Sequence, residues 1–270
     1  MKVSRIVAFS SSLLLGAVLA LTGAGSAQAT TTGALAVDYV ALGDSYSSGV
    51  GAGEYDSASG NCKRSNRAYP KLWAAANAPS SFAFTACSGA RTSDVTANQL
   101  GPLNSGTDLV SISVGGNDAG FSDVMTTCIL QSEANCIARV NQARSFVDTT
   151  LPGRLDTVYT GIKAKSPSAR VVVLGYPRFY KLSGSCLAGL SEAKRAAING
   201  AADHLNTAVS KRAANHGYVF ADVVPAFTGH EICSGAPWLH SLNLVNIGDS
   251  YHPTAAGQSG GYLPVFTSKA

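Results

Sequence analysis

The sequence predicts an α/β protein: a three-layer α/β/α, flavodoxin-like fold around a five-stranded parallel sheet. Three observations lead there. Short apolar, β-rich runs recur along the chain, helical patterns separate them, and the first three runs each lead into a loop combining glycine with a small polar residue. Strands that are continuous apolar runs, alternating with helices, belong to a parallel sheet covered on both faces.

The chain opens with an expected leader. Lys2 and Arg5 precede an apolar run from Ile6 to Leu21, and Ala27-Gln28-Ala29 supplies a small-residue cleavage site; this is the pattern of a secretory signal peptide over residues 1–29. The run is short for a membrane span, and no cysteine stands near the cleavage site to take a lipid. The expected product is a secreted, extracellular protein without a stable membrane anchor, forming one domain over residues 30–270. The formal net charge is +4, and Lys2 and Arg5 are the only charges in the leader, so 18 basic residues face 16 acidic ones thereafter. So weak a balance argues against nucleic acid as a partner. Nothing in the pattern calls for an oligomer, and a monomer is expected.

The strands are expected at Asp38–Leu42, Phe82–Ala86, Leu109–Val114, Arg170–Leu174 and Tyr218–Ala221. Between the fourth and fifth, Ser191 and Glu192 mark a helix start, and Ile198, Ala202, Leu205 and Val209 then share one face at helical spacing. Arg139 to Lys165 reads as helical, with Pro152-Gly153 kinking or splitting it. A last helix should start at Pro253.

Six cysteines, Cys62, Cys87, Cys128, Cys136, Cys186 and Cys233, all follow the leader. An even count in an exported chain favours disulfides. Fifteen connectivities are open, of which the pairing of chain neighbours closes modest loops. No CxxC pair occurs, and His230-Glu231 lacks a second histidine at metalloprotease spacing, so no metal and no cofactor are expected.

In a parallel sheet the loops that follow the strands converge on one edge. The first such loop holds Gly43-Asp44-Ser45, the second Cys87-Ser88-Gly89 and the third Gly115-Gly116-Asn117-Asp118. Asp44 or Ser45 can simply cap the next helix. Alternatively, Ser45 is a nucleophile for acyl transfer, with its own N–H, the Gly89 N–H and the Asn117 amide as oxyanion donors. The base must be one of five histidines. His204 and His216 fall in or beside the Ser191 helix and read as surface residues; His230 and His240 lie in a loop-rich region with a structural or rim role. His252, in Asp249-Ser250-Tyr251-His252-Pro253, is held extended by the proline and is the candidate base. Its ring would be oriented by Asp249 or by the main-chain carbonyl of Ser250. Gly257-Gln258-Ser259-Gly260-Gly261 matches G-x-S-x-G, but Ser259 has neither a strand before it nor a histidine after it. Gly120 to Val140, with Cys128 and Cys136, is placed to shape a groove rim.

These four blocks resemble those of the SGNH or GDSL hydrolases, a family named for a Ser, a Gly, an Asn and a His. Gly43-Asp44-Ser45, Gly89, Gly115 to Asp118 and Asp249 to His252 occur here in the family's order, and the similarity runs from about Asp38 to Phe266. Within the family the chain resembles secreted Streptomyces-type lipases and esterases. The resemblance implies metal-free carboxylester hydrolysis, with Ser45 as nucleophile, His252 as general base and acid, and Ser45, Gly89 and Asn117 as the oxyanion hole. It also implies the pairs Cys62–Cys87, Cys128–Cys136 and Cys186–Cys233. Tyr46 stands where the general motif has leucine, a difference expected to affect packing. The substrate class implied is lipid acyl esters, of the triacylglycerol lipase type; phospholipase A-type or broad carboxylesterase activity is the alternative. An inactive surface- or carbohydrate-binding module would have lost Ser, Asn or His from the blocks, and none is lost.

Overall fold

The first strand, β1 (Asp38–Gly43), is buried from Tyr39 onward, and its neighbour β3 (Leu109–Ser113) is buried at every position. Both lie inside a sheet covered on two faces, which is why neither alternates between buried and exposed positions, and Ser111 and Ser113 of β3 are buried with the rest. The computed structural model of this protein describes residues 37–184, 186 and 190–270; the expected leader lies outside these residues. With β2 (Ser81–Phe84), β4 (Arg170–Leu174) and β5 (Val219–Ala221), the strands form one parallel sheet of order β2-β1-β3-β4-β5. The flavodoxin-like order and the five strands are those the sequence predicts.

Strand boundaries shift from expectation by one or two residues, and two of the shifts have visible local reasons. Thr85 and Ala86 leave the ladder because both N–H groups turn to the carbonyl of Ala41, at 2.9 and 3.2 Å. Tyr218 is drawn out of β5 by donating to Ala213 O, one of the last carbonyls of a helix.

The helices are α1 (Ser45–Ser48), α2 (Tyr69–Asn77), α3 (Thr92–Asn98), α4 (Phe121–Leu130), α5 (Glu133–Thr149), α6 (Leu151–Lys165), α7 (Glu192–Asn215), α8 (Val224–Phe227) and α9 (Leu263–Thr267). Helix α2 packs on α9, while α3, α6, α7, α5 and α4 form a second set packed in that sequence. Ser191 caps α7, its side chain accepting from Lys194 N. Of the kink or split expected near Pro152-Gly153, the split is found: the stretch is two helices. The break falls at Thr150, and Pro152, in the first turn of α6, starts that helix instead of kinking it. Pro253 does not open the last helix. It is bridged antiparallel to Leu239, and helical structure begins two residues later, passing through a π-helical turn at Gly257–Tyr262 before α9. The disulfides join Cys62–Cys87, Cys128–Cys136 and Cys186–Cys233.

Candidate active site

The sheet order reverses between β1 and β3, whose connections leave in opposite directions, and such a switch point opens a crevice at the carboxyl ends of the two strands. Gly43 and Ser113 are register partners there. The approach is close: a Cβ on Gly43, at φ +123°, would lie 2.5 Å from Ser113 O, so only glycine fits before the acid and the hydroxyl. Asp44 then caps α1 by accepting from Tyr46 N at 3.0 Å, and Ser45 is the first residue of that helix. The capping reading of this block is therefore correct for Asp44, and it leaves the Ser45 hydroxyl free to act.

Ser45 Oγ lies 2.8 Å from His252 Nε2, although 207 residues separate them in the chain. The imidazole is partly exposed, but its Nδ1 is fully buried. Burial lowers the pKa of His252 to about 4, with the main-chain carbonyl of Ser250 and the charge of Asp249 acting the other way. The ring is thus neutral at neutral pH, the state in which Nε2 can accept a proton. Asp249 does not touch the ring. Its carboxylate accepts from Tyr55 OH at 3.1 Å, and Tyr55 OH in turn accepts from Gly51 N. Nδ1 has no hydrogen-bond partner among the described residues, so of the two orienting groups expected neither Asp249 nor the Ser250 carbonyl closes a bond to the ring here, and both favour its charged form.

Asn117 and Ser45 line one narrow cavity. Its wall is otherwise almost entirely apolar and comes from α4 (Phe121, Val124, Met125), α5 (Ala143, Val147) and α7 (Ile198, Ala202, Leu205). Helix α4 falls within Gly120–Val140, the stretch expected at a groove rim. One hydrogen of the Asn117 amide is committed to Ala90 O at 3.0 Å, which fixes the side chain and leaves its second hydrogen available. That bond ties the third loop to the Gly89 loop. Gly89 itself, at φ +77° with open space at its Cβ position, does not line that cavity but a second depression, with Cys62, Cys87 and Ser88. Among the described residues neither Ser45 N nor Gly89 N donates a hydrogen bond.

Asp118, the last residue of the third block, points away from this chemistry. It accepts from Thr92 N and Thr92 Oγ1 at 2.9 and 2.6 Å and so holds the start of α3.

Beneath Ser45 runs a buried polar network that sequence reasoning did not identify. Asp44 Oδ1 accepts from Ser113 Oγ at 2.7 Å and Oδ2 accepts from Tyr176 OH. Ser113 Oγ lies 2.7 Å from Ser47 Oγ, Tyr69 OH lies 3.2 Å from Ser47 Oγ, and Tyr69 OH donates to Ser111 Oγ at 3.1 Å. Burial raises the Asp44 pKa to about 6 against these hydrogen bonds. Tyr46 does more than pack: its OH donates to Tyr251 O at 2.7 Å, directly beside the base. Gln258 joins both sides, its Nε2 donating to Tyr46 O at 3.0 Å and its Oε1 accepting from Tyr69 N at 2.9 Å. The clue to it lay within the Gly257–Gly261 motif, where the buried glutamine matters and Ser259 is exposed.

The other histidines are structural. His204 pairs with Asp148 and His216 with Asp156; both are half-buried at helix seams and not fully solvated. His230 stacks on Trp238 at 3.6 Å, and His240 Nε2 contacts Gly51 O at 2.8 Å. No cluster of three or more metal-ligating side chains occurs among the described residues, and no helix among them is long and apolar enough to cross a membrane.

Comparison with known proteins agrees with this geometry. The model of the GDSL-like lipase/acylhydrolase family matches residues 41–259. Lipase 1 of Streptomyces coelicolor is 66% identical over 266 residues, covering 98% of each chain. Among solved structures, phospholipase A1 of Streptomyces albidoflavus is 72% identical with a TM-score of 0.86, and the extracellular lipase of Streptomyces rimosus is 65% identical with a TM-score of 0.85. Each of these two alignments covers 87% of this chain and 100% of the other. The chain belongs to the GDSL-like lipase/acylhydrolase family and is a carboxylic ester hydrolase.

Proposed function

We propose that the protein is a secreted lipase that cleaves the acyl esters of lipids through an acyl-enzyme on Ser45, its first 29 residues serving as a leader removed on export. The observation that carries the reading is the 2.8 Å contact between Ser45 Oγ and His252 Nε2 at the sheet's switch point. In the first half-reaction Nε2 takes the Ser45 proton, Oγ bonds to the ester carbonyl carbon, and the ester C–O bond breaks as the proton passes to the leaving alcohol. The developing oxyanion is received by the N–H groups of Ser45 and Gly89 and the second amide hydrogen of Asn117. Water, deprotonated by the same imidazole, then releases the acid and restores Ser45. His252 acts with the Ser250 carbonyl behind it, a dyad in place of a triad, since Asp249 is engaged by Tyr55. The chemistry uses no metal and no cofactor.

The apolar cavity beside Ser45, between α4, α5 and α7, suits an aliphatic acyl chain. Triacylglycerols and phospholipids both present such a chain. The 72% identity to a phospholipase A1 supports phospholipid acyl cleavage as a second activity of the same site, and parallel assays on triglyceride and phospholipid emulsions rank the two. Ser45→Ala should lower turnover on every ester by about 10⁵-fold or more and abolish labelling by an organophosphonate, with the circular dichroism spectrum unchanged. Undiminished turnover in that variant would refute the assignment.

A further inference from the structure

The base sits at the neck of a closed loop. His240 N donates to His252 O and Tyr251 N to His240 O, at 2.9 and 3.0 Å, so the chain leaves and returns at one point and the segment between projects from it. Inside the loop, Asn243 N donates to Ser250 Oγ while Asn243 Oδ1 accepts from Val245 N and Asn246 N. Asp249 N donates to Asn246 O and Ser250 N to Ile247 O. These bonds brace the loop and hold a tip whose side chains face outward: Leu244 is 81% exposed, Val245 90% and Ile247 64%. Among the described residues few other large apolar side chains are so exposed, and no charged residue lies between Leu239 and Gly248. Neighbouring apolar side chains so fully in water mark a contact surface.

One cation stands beside this tip. Lys63 Nζ lies within 3.1 Å of where a Cβ on Gly248 would be, and its ammonium sits near the face of Tyr55. The only carboxylate of the loop, Asp249, is bonded to that same tyrosine. An apolar tip with an ammonium at its base matches the two layers of a membrane surface, acyl chains below and phosphates above.

We propose that Leu244, Val245 and Ile247, flanked by Lys63, adsorb the protein to a lipid–water interface with anionic headgroups and hold His252 against the aggregated substrate. The proposal rests on the lipid-ester reading for the identity of that surface.

The test uses vesicles of dialkyl-ether phosphatidylcholine, alone or mixed with dialkyl-ether phosphatidylglycerol, which contain no ester to cleave. Flotation should show the mature protein bound, more tightly with phosphatidylglycerol present. Combined Leu244→Ser, Val245→Ser and Ile247→Ser should weaken binding at least about a hundredfold, while hydrolysis of a monomeric, soluble p-nitrophenyl butyrate stays within about twofold, as expected for side chains outside the active site. Lys63→Ala should cost about fivefold on the anionic vesicles only. Ser45→Ala should bind as well as the unchanged protein, so loss of the catalytic reading and loss of this one register in different assays. A triple variant that floats like the unchanged protein would overturn the proposal. So would a dimer of the unchanged protein that the triple variant dissolves, since the tip would then face a second copy of the chain.

Discussion

Ser45 and His252, the proposed nucleophile and base, are held in opposite ways. Ser45 and its neighbours Tyr46, Ser47 and Ser48 are all buried, at the end of a central strand, over hydroxyls and a carboxylate that satisfy one another. His252 hangs from a loop fastened to the body by a few named bonds: Tyr46 OH to Tyr251 O, His240 to the His252 backbone, and Tyr55 to Asp249. The contrast assigns different work to the two halves. One fixes the attacking atom in the core; the other places the base next to water, where an insoluble substrate arrives.

The largest expected effect comes from the buried half. Asp44→Ala would leave Tyr46 N, Ser113 Oγ and Tyr176 OH without their acceptor. At 1–3 kcal/mol for each stranded buried donor, a loss of about 4 kcal/mol in unfolding free energy is expected by denaturant titration. The same carboxyl gives a pH signature. Its pKa is about 6 when folded against the ordinary 3.8, so between those values the folded protein binds a proton that the unfolded chain has released, and stability falls as pH rises through the window. From pH 4 to 7 the unchanged protein should lose about 2 kcal/mol more than Asp44→Asn, read from the difference between the two stability curves.

The link between the halves should matter less. Gln258→Ala strands Tyr46 O and Tyr69 N, with a loss of about 2 kcal/mol expected in thermal unfolding. Tyr46→Phe removes only the bond to Tyr251 O. It should cost about 1 kcal/mol of stability and lower kcat up to about tenfold with little change in KM, because His252 loses an anchor while the aromatic ring at position 46 still lines the cavity. The smallest effect is expected from Asp249→Asn, whose side chain can still accept from Tyr55; turnover should stay within about threefold. A fall of orders of magnitude would restore Asp249 as the ring's partner and blur the contrast drawn here.

How far the sequence could be read follows the same division. β1 and β4 were legible because strands buried on both faces carry nearly unbroken apolar runs, β3 because Leu109, Val110, Ile112 and Val114 outweigh its two serines, and the four blocks were legible because strand ends concentrate glycine and polar residues. The hydroxyl network was not. Ser111 and Ser113 look like interruptions of an apolar segment, and Ser47 like one more serine after a strand, until the fold brings them together, and Tyr176 lies 132 residues from the acid it serves. The fate of Asp249 was equally hidden. Its spacing from His252 suits a triad, and only the approach of Tyr55, 194 residues away, shows the carboxylate to be occupied. Leu244, Val245 and Ile247 carry no signal as a sequence, since three apolar residues in a loop read as readily as a small buried cluster.

The pairing of Gly43 with Ser113 has a consequence for how such an enzyme can change. Ser45 and Asn117, to which attack on the ester and support of its oxygen are assigned above, lie just past the tips of two adjacent hydrogen-bonded strands, whose spacing of about 4.8 Å is a property of the peptide backbone. The ruler that sets their separation is therefore indifferent to side-chain drift elsewhere. Helices α4, α5 and α7 can be remodelled to admit longer, shorter or branched acyl groups while the reaction itself stays calibrated.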